Sequence, residues 1–124
     1  MKIKRVEHIA IAVNDMDAHG AALEAIFGLK KDYEEQIGET RLAMYPIGES
    51  SLELLEAVGP SSKVGDWIKA RGQSLFHLCF EVESIDEALA ELKQKGVKLI
   101  DETPRNGQAA AASPSSTQPR RATS

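Results

Sequence analysis

Three side chains in this sequence could together hold a cation: His8, His77 and Glu53. The histidines lie in two stretches that repeat each other, VEHIAIAVNDMD (Val6 to Asp17) and LFHLCFEVESID (Leu75 to Asp86). His8 aligns with His77, Ile9 with Leu78, Val13 with Val82 and Asp17 with Asp86, each pair 69 positions apart. Internal repetition of this kind marks a duplicated structural unit. A single histidine on a strand is usually a surface or satisfied polar residue. Two at repeat-equivalent positions are different, because a fold with two-fold pseudosymmetry would bring them together. Glu53, within Leu52-Glu53-Leu54-Leu55, adds a carboxylate. Two imidazoles and a carboxylate make a mixed nitrogen and oxygen donor set for a divalent ion.

The elements that must place these groups are legible from periodicity. Side chains alternate faces along a strand. On the first strand Ile9, Ile11 and Val13 therefore share a helix-facing side, and His8, Ala10 and Ala12 share the other. On the second copy Phe76, Leu78, Phe80 and Val82 form the helix-facing set, and His77 goes with Cys79 and Glu81. Each histidine has a small neighbour on its face, which leaves room in front of the ring.

A helix follows each strand. Ser84-Ile85-Asp86-Glu87 has the form of a capping box, Ile85, Ala88, Leu89 and Leu92 make one apolar helical face, and Gly96 suits a left-handed cap. The first helix is expected over Met16 to Phe27, ending at Gly28, with Gly20 inside it costing about 1 kcal/mol relative to alanine. Strands are expected at Thr40 to Tyr45 and Ser51 to Glu56 around a Pro46-Ile47-Gly48-Glu49 turn, and at Lys30 to Glu35. Pro60-Ser61-Ser62 reads as a loop, Val64 to Arg71 as a short helix and Val97 to Ile100 as a strand. Cys79 reads as a small buried residue, His19 as helix surface, and Trp67 as the residue that packs the short helix.

The chain has 124 residues, 42% apolar and 27% charged, enough for one domain with a modest core. Its net charge of −4 with no basic stripe argues against a nucleic-acid partner. One cysteine excludes an internal disulfide. The opening MKIKRVEHIAIAV has a basic head, but its apolar run is short and interrupted by Glu7 and His8, so it is not read as a signal peptide. No stretch is long enough to span a membrane, and a cytoplasmic protein is expected.

The stretches VEHIAIAV, SSLELLEAVGP and the run from Trp67 through FHLCFEVESIDEALAELKQKGVKLIDETPR to Arg105 resemble the vicinal oxygen chelate superfamily. That superfamily includes glyoxalases, bleomycin-resistance proteins and dioxygenases. Within it, these stretches resemble the methylmalonyl-CoA epimerases. The resemblance implies an α+β fold of paired βαβββ modules. Module one would span 1–60 and module two 72–105, within a domain of residues 1–105 whose second module lacks its last strands. It implies a divalent cation (cobalt, manganese, zinc, nickel or magnesium) held by His8, His77 and Glu53. A further glutamate would come from the last strand of module two.

The implied reaction is epimerisation of methylmalonyl-CoA by proton abstraction beside the thioester, an isomerase activity on a small acyl-CoA. The complete fold would form a homodimer. The catalytic glutamate of the family precedes the second strand; here Glu35, in Glu35-Gln36, is the first choice and Glu39 the reserve. The alternatives are a glyoxalase-like lyase of the lactoylglutathione type and a ligand-binding protein of the same fold without catalysis. Lys2, Lys4, Arg5, Lys69 and Arg71 are candidate contacts for an anionic CoA, or ordinary surface.

The family pattern stops near Gly107, where NGQAAAASPSSTQPRRATS replaces the last strands. Its composition fits a disordered tail over 106–124. It equally fits an out-of-frame product, since codons for Ala109 to Ser124 shifted by one base can spell GGRIAFLHP, a strand of the expected kind. Either origin leads to the expectation of impaired activity.

Overall fold

A computed structural model describes residues 1–98, together with the backbone at 111–112 and 119–120. The described elements run β1 (Ile3–Ala12), α1 (Met16–Phe27), β2 (Tyr33–Ile37), β3 (Thr40–Ile47), β4 (Ser50–Ala57), α2 (Lys63–Arg71), β5 (Ser74–Val82) and α3 (Ile85–Gln94). β1-α1-β2-β3-β4 is one complete βαβββ module, and β5-α3 repeats its opening. This is the α+β architecture of paired modules, with the second described through its first strand and helix. The strand order is β2-β3-β4-β1-β5. Two short pieces, β6 (Ala111–Ala112) and β7 (Pro119–Arg120), pair antiparallel. The rest of the expected tail, and the end of the strand expected over 97–100, lie outside the described residues. Among the described residues no helix is long and apolar enough to cross a membrane.

The chain divides into two compact units, residues 10–76 and residues 1–9 with the chain from His77 onward. In the first unit the local signals set the boundaries. Asp15 caps α1 by accepting from the Ala18 N–H at 3.0 Å. Gly28, at φ 70°, ends it with its N–H on the Glu24 carbonyl. β2, β3 and β4 form an antiparallel meander, with Glu35 opposite Leu42 and Met44 opposite Glu53. β3 and β4 run further than expected, through Ile47 and from Ser50, leaving a tight turn at Gly48-Glu49 with Gly48 at φ 55°.

Both faces of this meander are packed. On the α1 side Val13, Met16, Ala43, Tyr45 and Leu54 form one core, with Ile11 and Leu23 against it. On the other side Ala10, Ala12, Leu42, Met44 and Leu55 pack with Val64 and Trp67 of α2. The sequence reading treated the face of Ala10 and Ala12 as open; α2 closes it. Trp67 anchors that cover: its indole N–H donates to Ser74 Oγ at 3.0 Å, and its ring meets Phe76 edge-on at 5.2 Å.

Gly20 has a reason the sequence did not show. A Cβ there would lie 2.0 Å from the hydroxyl of Tyr45, which is itself buried among Val13, Met16 and Leu54. Gly20→Ala should therefore destabilise the fold by about 1–3 kcal/mol through overpacking, although helix propensity alone favours alanine by about 1 kcal/mol. Urea unfolding measures the sign, and adding Tyr45→Phe should recover part of the loss.

In the second unit β1 and β5 run antiparallel. The Glu83 N–H donates to the Lys2 carbonyl at 3.0 Å, and Glu81 pairs with Arg5 at 3.2 Å and Lys4 at 3.8 Å. Ser84 caps α3 by accepting from the Glu87 N–H at 3.2 Å. Val82, Ala88 and Ile85 pack together beneath it. Gly96 takes the expected left-handed conformation, φ 77°.

Candidate metal centre

The antiparallel pairing of β1 and β5 decides what the repeat can bring together. Each step forward along β1 is a step back along β5. Residues that are equivalent in the repeat can thus face each other on only one rung. That rung holds His8 and His77: their Nε2 atoms are 3.1 Å apart, with ring centroids at 5.3 Å and planes inclined by 65°. Both imidazoles are buried, at 0% and 2% exposure.

Two nitrogens each about 2.1 Å from a shared ion lie about 3.0–3.4 Å apart, from right-angled to tetrahedral coordination. The observed separation falls in that window with no movement of either strand. The spacing of the two nitrogens is thus compatible with a shared metal ion.

Glu53 sits in the other unit, on β4, at 1% exposure. Its register partner is Met44, so it projects on the face that carries Leu42, Met44, Ala10 and Ala12, away from α1. A carboxylate so deeply buried is costly to keep charged without cationic or hydrogen-bonding compensation.

The acids ahead of β3 separate cleanly. Glu34, opposite Ala43, turns to the α1 side and pairs with Lys31 and with Arg41 at 3.3 Å. Lys31 first, and Arg41 after it, hold the Glu34 carboxyl below its ordinary value. Arg41 also reaches Glu56 at 3.0 Å and Asp17 at 3.2 Å, tying β2, β4 and α1 together. Glu35, opposite Leu42, takes the other face, the one that carries Glu53, and its side chain is exposed. Glu39 is occupied elsewhere. It accepts from the Ser61 N–H at 2.6 Å and the Ser61 hydroxyl at 2.7 Å. The Ser61 backbone N–H, then its hydroxyl, hold the Glu39 carboxyl below its ordinary value. A carboxylate stabilised in its charged form is a weaker proton acceptor.

Four of the five basic residues proposed as CoA contacts have partners already. Lys2 pairs with Glu83 at 3.4 Å, Lys4 and Arg5 with Glu81, and the Arg71 guanidinium lies 4.0 Å over the Trp67 ring. His19 is helix surface, as expected, with a 3.1 Å contact to Gln73. Cys79 is wholly buried.

One residue escaped the sequence reading. Glu7 bonds to His8 Nδ1, the ring nitrogen turned away from His77. Its ligand oxygen, His8 and Cys79 Sγ lie within 4.8 Å of one another. Strict alternation puts Glu7 on the opposite face from His8, so only its adjacency to a histidine hinted at the contact.

Residues 7–113 match the model of the Glyoxalase/Bleomycin resistance protein/Dioxygenase superfamily. The chain is 32% identical over 103 residues to an ethylmalonyl-CoA/methylmalonyl-CoA epimerase of Cereibacter sphaeroides, covering 79% of this chain and 75% of that protein. It is 26% identical over 106 residues to the mitochondrial methylmalonyl-CoA epimerase of Bos taurus, covering 83% of this chain and 61% of that protein. Among solved structures, Streptomyces coelicolor methylmalonyl-CoA epimerase (S115T), in complex with 2-nitronate-propionyl-CoA, superposes with a TM-score of 0.76 at 32% identity. That match covers 86% of this chain and 79% of the other.

Proposed function

This chain belongs to the Glyoxalase/Bleomycin resistance protein/Dioxygenase superfamily, and from that premise we propose that it is a metal-dependent epimerase of methylmalonyl-CoA or a close short branched acyl-CoA. The observation that carries the reading is the single rung on which two buried, repeat-equivalent imidazoles face each other, Nε2 to Nε2, at 3.1 Å. Support for the substrate comes from the similar acyl-CoA epimerases and from the acyl-CoA analogue in the similar structure.

In this reading His8, His77 and Glu53 hold the ion. Imidazole and carboxylate donors suit zinc, cobalt, nickel or manganese. When bound, such an ion supplies Lewis-acid polarisation of the substrate's carbonyl and carboxylate oxygens. The chain's own part is positioning and proton transfer. Glu35 takes the proton from the carbon between thioester and carboxylate, and the electron pair of the broken C–H bond moves into the thioester carbonyl. A proton drawn from solvent and delivered to that carbon from the opposite face inverts the centre, and Glu35 returns the abstracted proton to solvent. Glu35 is favoured over Glu39 because Glu39 is committed to Ser61, while no hydrogen bond or ion pair engages Glu35 among the described residues.

The test is proton exchange. In deuterated water, chelator-treated protein should leave the α-proton of methylmalonyl-CoA in place, and added cobalt should start its exchange with solvent. Exchange that ignores chelator and metal, or turnover of a hemithioacetal of glutathione in place of the acyl-CoA, would overturn the assignment.

A further inference from the structure

We propose that Glu7 is a positioning residue for His8: its carboxylate fixes the proton on Nδ1 and so presents the Nε2 lone pair to the rung shared with His77. The inference rests on the metal reading only for its consequence, not for its geometry. An ionised carboxylate can only accept hydrogen bonds. With Glu7 bonded to Nδ1 of His8, a neutral His8 must carry its proton on that nitrogen. Its Nε2 is then a bare acceptor, aimed at His77 Nε2 3.1 Å away. Without an ion, an Nε2–H on His77 complements that acceptor.

The two halves are therefore unequal at the point where the repeat makes them equivalent. His77 aligns with His8, but the residue before it is Phe76, where His8 has Glu7. Phe76 packs against Trp67 and offers no acceptor. The carboxylate orients one ring of the pair only, a carboxylate–histidine arrangement of the sort that raises ligand basicity and holds ring orientation at metal sites. His8 is thereby a ligand pre-set for an incoming ion.

The neighbouring thiol provides the rival use of the same groups. Cys79 Sγ is close enough to Glu7 and His8 to share a soft cation with them. That arrangement would draw the Glu7 carboxylate to the cation, and the positioning role requires it on Nδ1 of His8.

Nitrogen-15 side-chain spectra of the chelator-treated full chain test the contact itself, with His8→Ala and His77→Ala assigning the signals. Wild-type His8 should be the Nδ1–H tautomer. Glu7→Ala should shift it towards the Nε2–H form, and Glu7→Gln, whose amide oxygen still accepts, should largely restore the wild-type pattern. Cobalt titration should show affinity about 10–100-fold weaker in Glu7→Ala, with a changed visible spectrum. A tautomer indifferent to Glu7→Ala overturns the proposal whatever cobalt does. A thiolate-to-cobalt band that disappears in Cys79→Ala overturns it in favour of the thiol site. A tautomer set by Glu7 in a wild-type chain that binds no cobalt upholds the contact and overturns the metal reading alone.

Discussion

His77→Ala should abolish stoichiometric cobalt binding and lower kcat/KM for the epimerisation by at least about a thousandfold, roughly 4 kcal/mol of transition-state stabilisation. His8 and His77 present one nitrogen each to the same buried rung. Removing either leaves one imidazole, and the polarisation of substrate oxygens by a metal ion goes with the ion. The same substitution should lower stability by about 1–3 kcal/mol, because it truncates a buried side chain and removes the contact between the two Nε2 atoms. Metal titration followed by calorimetry separates the two effects, since a variant that is merely loosened still takes up one ion per chain. His8→Ala should behave alike. His19→Ala should change neither binding nor rate, because that ring lies exposed on α1. Full cobalt uptake by His77→Ala, or equal losses at His19, would remove the basis for the site.

The second large effect separates chemistry from scaffolding. Glu35→Gln should lower kcat by about 100- to 10,000-fold, the range for removal of a general base, while cobalt affinity stays at the wild-type value. Glu39→Gln should do the reverse. It replaces the carboxylate that accepts from the Ser61 amide and hydroxyl by a neutral amide whose oxygen accepts more weakly, so it should modestly reduce thermal stability and leave kcat nearly intact at a permissive temperature. The pH dependence gives Glu39 a sign. Its carboxyl is held below the ordinary value of 4.5, so its contribution to stability is fully present above that value and disappears as pH falls through the lowered one. The wild-type advantage over Glu39→Gln should therefore shrink in acid. If Glu39→Gln is the inactive variant and Glu35→Gln is not, the roles assigned to the two carboxylates are interchanged.

Much of this was legible in the residues, for local reasons. Helix α1 ends where expected because Gly28 is strong local punctuation, and the Asp15 cap, which the sequence reading did not use, fixes its start. The histidine pair was legible because duplication writes the same residue twice. Other features depend on partners far along the chain. The face of Ala10 and Ala12 read as open because its cover, Trp67 on α2, belongs to a segment outside the repeat. Gly20 read as a local cost because Tyr45, which needs the space, sits on another element. Glu7 was passed over because alternation assigns a direction to the Cβ, while a glutamate has further bonds with which to turn back. Glu39 stayed a candidate base until its bonds to Ser61, across the loop after β4, could be seen.

Only one rung of the β1–β5 ladder pairs equivalent residues, and this makes the ladder unusually intolerant of changes in length. Inserting or deleting a single residue between Lys2 and His8, or between His77 and Glu83, would turn one imidazole to the opposite side of the sheet while the other stayed. Compensation on the partner strand could realign the backbone, yet would break the two-fold match elsewhere. A library of single-codon insertions should accordingly be depleted through both strands, while the Gly48-Glu49 hairpin tip accepts extra residues freely.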